Sequence, residues 1–221
     1  MQRRLSGASA IVFDVDGTLI DSNPAHAEAW AQALTEHGFP HEADQVRPLI
    51  GMGSDKLLPA VARLDVDSPQ GKVILARKKT LFDERLPLLQ PTRGARAFLT
   101  FLREQGKTLV VATSADDEEM HAILEQARVG DLIPRRTSSD DAGRSKPDPD
   151  IVQAALGRAG TPAARAVMIG DTPYDIEAAA RAGVDCIALR CGGWWQDGDL
   201  AGAMAIADDP QDLLERWRTP L

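Results

Sequence analysis

The sequence predicts a doubly wound α/β fold: a parallel sheet with helices on both faces and a helical insertion. Three observations carry this expectation. Short runs rich in Val, Ile and Leu, each too short for a helix, recur along the chain. Amphipathic segments with clear stops alternate with them. The alternation breaks once, over residues 20–90, where only helical patterns occur.

The elements follow in order. Residues 10–13 read as a buried strand. Residues 23–37 read as an amphipathic helix, with Asn23-Pro24 as cap and first helical position and Gly38 as the stop. Helical patterns continue over 55–64 and 72–86, and 87–92 reads as a connector. A helix over 93–105 carries Ala97, Phe98, Phe101 and Leu102 before Gly106. Strand 108–113 follows, with a weaker strand near Leu132. Helix 150–159 ends at Gly160, strand 166–169 comes next, helix 174–182 ends at Gly183, and strand 186–189 closes the series.

With 221 residues, 43% hydrophobic and 26% charged, the chain has the make-up of a globular protein large enough for a core domain with a modest insertion. The net charge of -8 argues against nucleic acid as partner, because counterion displacement needs Lys and Arg. No stretch approaches the roughly 20 apolar residues of a membrane span, so no membrane partner is expected. Cys186 and Cys191 sit in the run CIALRC, which reads as one strand; their odd separation puts them on opposite faces and argues against a disulfide. A cytoplasmic protein, monomer or weak homodimer, is the expectation.

Four segments carry chemistry. Phe13-Asp14-Val15-Asp16-Gly17-Thr18 puts two carboxylates directly after an apolar strand, where open α/β sheets hold ligands. A divalent cation would offset their burial; a plain acidic turn is the alternative. Gly170-Asp171-Thr172-Pro173-Tyr174-Asp175 repeats the pattern, with helix capping as its alternative. Ser145-Lys146-Pro147 presents a lysine from a stiff segment, or merely a solvated one. Thr113-Ser114 places hydroxyls at a strand end, where they would otherwise cap the next helix. Together the four supply a nucleophile, metal ligands, a cation and hydrogen-bond donors, the needs of phosphoryl transfer.

In this combination and order the chain resembles the haloacid dehalogenase superfamily, its subgroup of phosphoglycolate phosphatases and β-phosphoglucomutases. The resemblance implies a Rossmann-like core (residues 1–19 and 91–221), a small helical cap (20–90) and a Mg2+-dependent phosphatase acting on a small phosphorylated metabolite. It implies that Asp14 attacks phosphorus to give an aspartyl-phosphate and that Asp16 is general acid and base. Asp14, Asp16 through its backbone carbonyl and Asp171 would hold the metal, with Asp175 either a further ligand or a hydrogen-bond partner of the ligand set. Thr113, Ser114 and Gly17 would meet the phosphoryl group, and Lys146 would offset its charge. Members that cleave carbon–halogen bonds lack an acid at the position of Asp16. Phosphonate-cleaving members also lack it and use a cap lysine, for which Lys56 is the candidate; a surface role for Lys56 is the preferred reading.

The segment from Asp21 to His26, with Trp30 beyond, is similar to the cap entrance of β-phosphoglucomutase and makes His26 a candidate substrate residue. The mutase pattern has an arginine on the cap loop where this chain has Ser54 and Asp55. A sugar-phosphate mutase and a silent phosphate-ester binding module are therefore the alternatives. The glycines of Leu49-Ile50-Gly51-Met52-Gly53 suit a loop near a ligand or an ordinary connection. Trp194 and Trp195 could bind a substrate or simply pack.

Overall fold

The computed structural model describes residues 2–218. Among them, six strands form one parallel sheet: β1 (Ala10–Phe13), β2 (Thr108–Ala112), β3 (Arg135–Thr137), β4 (Ala166–Gly170), β5 (Asp185–Leu189) and β6 (Ala205–Ala207). Their order is β3-β2-β1-β4-β5-β6, so β1 is central. Helix α1 (Gln2–Gly7) precedes β1. Four helices, α2 (Asn23–Glu36), α3 (Ala43–Val46), α4 (Ser54–Ala62) and α5 (Pro69–Arg85), follow it with no sheet strand among them. Helix α6 (Ala95–Glu104) then leads into β2. Helices α7 (Asp117–Gln126), α8 (Asp150–Ala159) and α9 (Pro173–Arg181) connect the next strands, and α10 (Pro210–Arg218) follows β6.

The central strands read as unbroken apolar runs because both faces are covered. Ile11, Phe13, Val111 and Ile169 point to one face and pack with Phe98, Leu102 and Leu213. Val12, Val110, Ala112, Met168 and Ala188 point to the other, against Ile151, Ala155 and Ala179. The alanines on that second face let α8 and α9 lie close to the sheet.

The helical excursion leaves and rejoins the core at one place. Ile20 pairs antiparallel with Pro91. The Asp21 N–H donates to the Gln90 carbonyl at 3.0 Å, and the Thr92 N–H to the Leu19 carbonyl at 3.0 Å. Among the described residues no helix is long and apolar enough to cross a membrane.

Several expectations need correction. The strand expected near Leu132 lies at Arg135–Thr137, while Leu132 is buried in the preceding turn. As an edge strand it needs few apolar residues, and Arg136 turns back to donate to the carbonyls of Gly130 and Ile133. Strand β6 and helices α1, α3, α7 and α10 go beyond the elements the sequence predicts. The N-cap of α2 is Ser22, not Asn23. Cys191 lies beyond β5 in a short 3-10 turn, so the CIALRC run is not one strand; both cysteines are free.

Candidate active site

Three neighbouring strands end side by side, and the next residue of each is polar: Thr113 after β2, Asp14 after β1, Asp171 after β4. Asp14 continues the ladder, its N–H donating to the Ile169 carbonyl at 2.9 Å. Lys146 arrives from the loop before α8 and is 1% exposed. Its ammonium lies 2.5 Å from Asp14 Oδ1 and 2.8 Å from Asp175 Oδ1. Asp175 in turn accepts from the Thr172 N–H at 3.0 Å and the Thr172 hydroxyl at 2.7 Å, the closing contacts of a capping box at the start of α9. The capping reading of GDTPYD thus holds for Asp175, and the same side chain also meets Lys146.

Asp171 is buried with neutral donors only. Thr18 donates to it at 3.1 Å and the Asn23 carboxamide at 2.8 Å. Oxygens of Asp14, Asp171 and Asp175 lie within 4.8 Å of one another. Three buried carboxylates therefore share one buried cation. Burial pushes the Asp14 carboxyl up to about 7 despite the pull of Lys146. Burial, with the charges of Asp14 and Asp175, holds Asp171 well above the usual carboxylate range. An oxygen-rich set with excess negative charge fits a hard divalent cation.

Gly17 makes this cluster possible. It has φ 71°, and a Cβ there would stand 2.2 Å from Asn23 Nδ2 and 2.3 Å from Asp171 Oδ2. Its N–H donates to the Ile20 carbonyl at 2.8 Å. Gly17 itself does not line the cavity described below.

Asp16 turns the other way. Its Oδ1 accepts from the Ser22 hydroxyl at 2.6 Å and lies 2.9 Å from His26 Nε2. Burial disfavours its charge, but the charge and hydrogen bond of His26, with Ser22, outweigh that and hold its carboxyl below the ordinary range. The His26 ring stacks on Phe82 of α5, with centroids 3.8 Å apart and planes at 8°. The first turn of α2 thus gives Ser22, Asn23 and His26 to the site.

A cavity of about 60 Å³ opens over Asp14 and Asp16. Its walls include His26, Trp30, Thr113, Ser114, the loop Ile50–Ser54, Lys78 and Glu119. The Thr113 hydroxyl accepts from the Ala115 N–H at 3.1 Å, and the Ser114 hydroxyl donates to the Gly51 carbonyl at 3.4 Å. Lys146, Asp171 and Asp175 lie behind Asp14 rather than in the wall.

Three residues escaped the sequence reading. Asn23 looked like a helix cap. Lys78 lies in the helical pattern over 72–86 and Glu119 in a segment given no reading, yet they form a buried pair at 2.9 Å. Lys56 lies elsewhere: it pairs with Asp148 on the core and does not line the inner cavity. Trp194 and Trp195 pack, the first under Arg47 at 5.5 Å and the second edge-on to Tyr174 at 6.0 Å.

A parallel sheet, a helical excursion after β1 and buried carboxylates at strand ends define the class: a Rossmann-like α/β protein with an acidic site at its strand ends. The chain belongs to the haloacid dehalogenase-like hydrolases, whose family pattern matches residues 11–189, and it is an enzyme of their phosphatase kind. It is 30% identical over 219 residues to a phosphoglycolate phosphatase of Pseudomonas putida, covering 95% of this chain and 80% of that one. It is 28% identical over 210 residues to the N-acetylmuramic acid 6-phosphate phosphatase of Pseudomonas aeruginosa, covering 93% of each. A hydrolase from Pseudomonas syringae superposes with a TM-score of 0.88 at 28% identity, over 94% of this chain and 97% of that one. A β-phosphoglucomutase from Clostridium difficile, at 15% identity and TM-score 0.81, shares the fold over 95% of this chain and 97% of its own.

Proposed function

We propose that the protein hydrolyses a small phosphate monoester through a phosphoenzyme on Asp14, with residues 20–90 acting as a cap over a core of 1–19 and 91–221. The observation that carries this reading is the divergence of Asp14 and Asp16. Two carboxylates two positions apart face different partners, a lysine ammonium for one and a serine–histidine pair for the other.

Asp14 is the nucleophile. Lys146 spreads its charge over Asp14 and Asp175, so it orients the attacking oxygen and offsets charge that builds on the phosphoryl group. Thr113 and Ser114 border the same space and supply donors to the phosphoryl oxygens. Asp16 delivers a proton to the leaving oxygen and later takes one from the hydrolytic water. Phosphate dianion beside Asp16 raises its proton affinity, and His26 holds the carboxyl in place. Asp14, Asp171, Asp175 and the Asp16 carbonyl would hold Mg2+, which when bound supplies positive charge at the phosphoryl oxygens.

The cap boundary is supported by the pairing of Ile20 with Pro91. Two free cysteines suit a reducing, cytoplasmic setting. The names of the relatives point to metabolite-sized esters. A mutase is less well supported, because no arginine lines the inner cavity to take a second phosphate.

The test is phosphate release from p-nitrophenyl phosphate with Mg2+. Asp14→Asn should abolish it; turnover retained in that variant removes Asp14 as nucleophile.

A further inference from the structure

The inner cavity, at about 60 Å³, holds only a few heavy atoms. It shares walls with a second space of about 460 Å³ between α5 and the core, a volume that suits a metabolite-sized group. The two spaces share Ser54, Lys78, Ser114, Ala115 and Glu119. The Lys78–Glu119 pair therefore stands at their junction, beside any group that reaches from one space into the other.

Of the cations in the outer groove, Lys78 alone has a buried partner. Its walls hold three cations, Lys78, Lys79 and Arg144, and three carboxylates, Asp55, Asp116 and Glu119. Lys78 is taken by Glu119 at 2.9 Å. Lys79 faces Glu118 at 3.4 Å and Asp83 at 3.8 Å, and Arg144 faces Asp148 and Asp150, both at 3.7 Å. A second anion close to the phosphoryl group, at the junction, would have to take Lys78 from a buried partner and leave Glu119 uncompensated, which is strongly unfavourable. Neutral hydroxyls need no such exchange. They can donate to Glu119, accept from Lys78, and pair with the side chains of Ser54, Ser114, Ser139 and Ser145 on the same walls.

Resting on the phosphatase reading above, we propose that the leaving group is an uncharged, hydroxyl-rich moiety of about monosaccharide size, lying in the outer groove, and that the Lys78–Glu119 pair selects against esters bearing a carboxylate.

The test compares glucose 6-phosphate with phosphoglycolate. Wild-type kcat/KM is expected to favour glucose 6-phosphate by at least about tenfold. Glu119→Gln frees Lys78 and should move the ratio toward phosphoglycolate by about tenfold. Ala76→Trp, which fills the outer groove away from the inner cavity, should raise KM for glucose 6-phosphate several-fold and spare phosphoglycolate. A wild-type preference for phosphoglycolate, or a ratio that neither variant moves, overturns the proposal. Calorimetric binding of both esters to the Asp14→Asn protein reads the same preference without turnover, so a failed phosphatase reading and a failed selectivity are separate results.

Discussion

The ammonium of Lys146 lies 2.5 Å from Asp14 Oδ1, joining two buried residues 132 positions apart. The contact ties the loop before α8 to the end of β1. It also leaves Asp171 without a cation of its own.

Lys146→Met should therefore damage both activity and stability. Removing one partner of a buried pair costs about 3–5 kcal/mol, because the carboxylates left behind are uncompensated. Phosphate release should fall below detection, and urea unfolding should show the loss. An unchanged unfolding midpoint would mean that the pair carries no such load.

Asp171→Asn is expected to act in opposite directions with and without metal. An amide at 171 removes one of three crowded charges, and it can donate to Asn23 Oδ1, which is buried without a partner. The metal-free Tm should rise by about 2–4 °C, the shift that 1 kcal/mol makes in a chain of this size. Stabilisation by Mg2+ should vanish, as should turnover. Thermal melts with EDTA and with Mg2+ decide both halves; a lower metal-free Tm would contradict the crowding argument.

Gly17→Ala combines strain with collision. A side chain in the left-handed region costs about 1–2 kcal/mol. The new Cβ would also displace Asn23 and Asp171. We expect a folded protein whose Mg2+-dependent melting shift is lost. A variant with wild-type metal response would show that the turn relaxes without disturbing Asp171.

Lys56→Ala probes the contact between α4 and the core. The Lys56–Asp148 pair is partly exposed, so its loss should cost under about 1 kcal/mol. Asp55 meets the Ser145 N–H nearby at 3.4 Å. Faster hydrogen exchange in the Gly51–Lys56 segment, with a higher KM and near-normal Tm, is the expected outcome. Exchange unchanged in that segment would remove the pair as a latch.

Much of the sheet was legible because β1, β2, β4 and β5 bury both faces and so appear as unbroken apolar runs. The edge strands were less so: β3 lies three residues past its expected place, since an edge tolerates residues such as Arg135 and Arg136, and β6 has only three residues, Ala205–Ala207. Helix α7 was hidden by its acidic first turn, Asp117 to Glu119, which reads as solvated surface until Asp116 is seen to cap it by accepting from the Glu119 N–H at 2.8 Å.

Local order was enough to single out the strand-end groups, Asp14, Asp16, Thr113 and Asp171, because a polar residue after a buried run stands out by contrast with its neighbours. Lys146 was marked by its stiff proline context. Which side each carboxylate faces was decided only by the tertiary structure. Asp14 meets Lys146 and Asp16 meets His26 through contacts spanning 132 and 10 positions. Lys78 and Glu119 acquire meaning only when α5 closes on α7. A charged side chain in a helix looks the same in sequence whether it faces water or a buried partner, and burial is a property of the assembled fold.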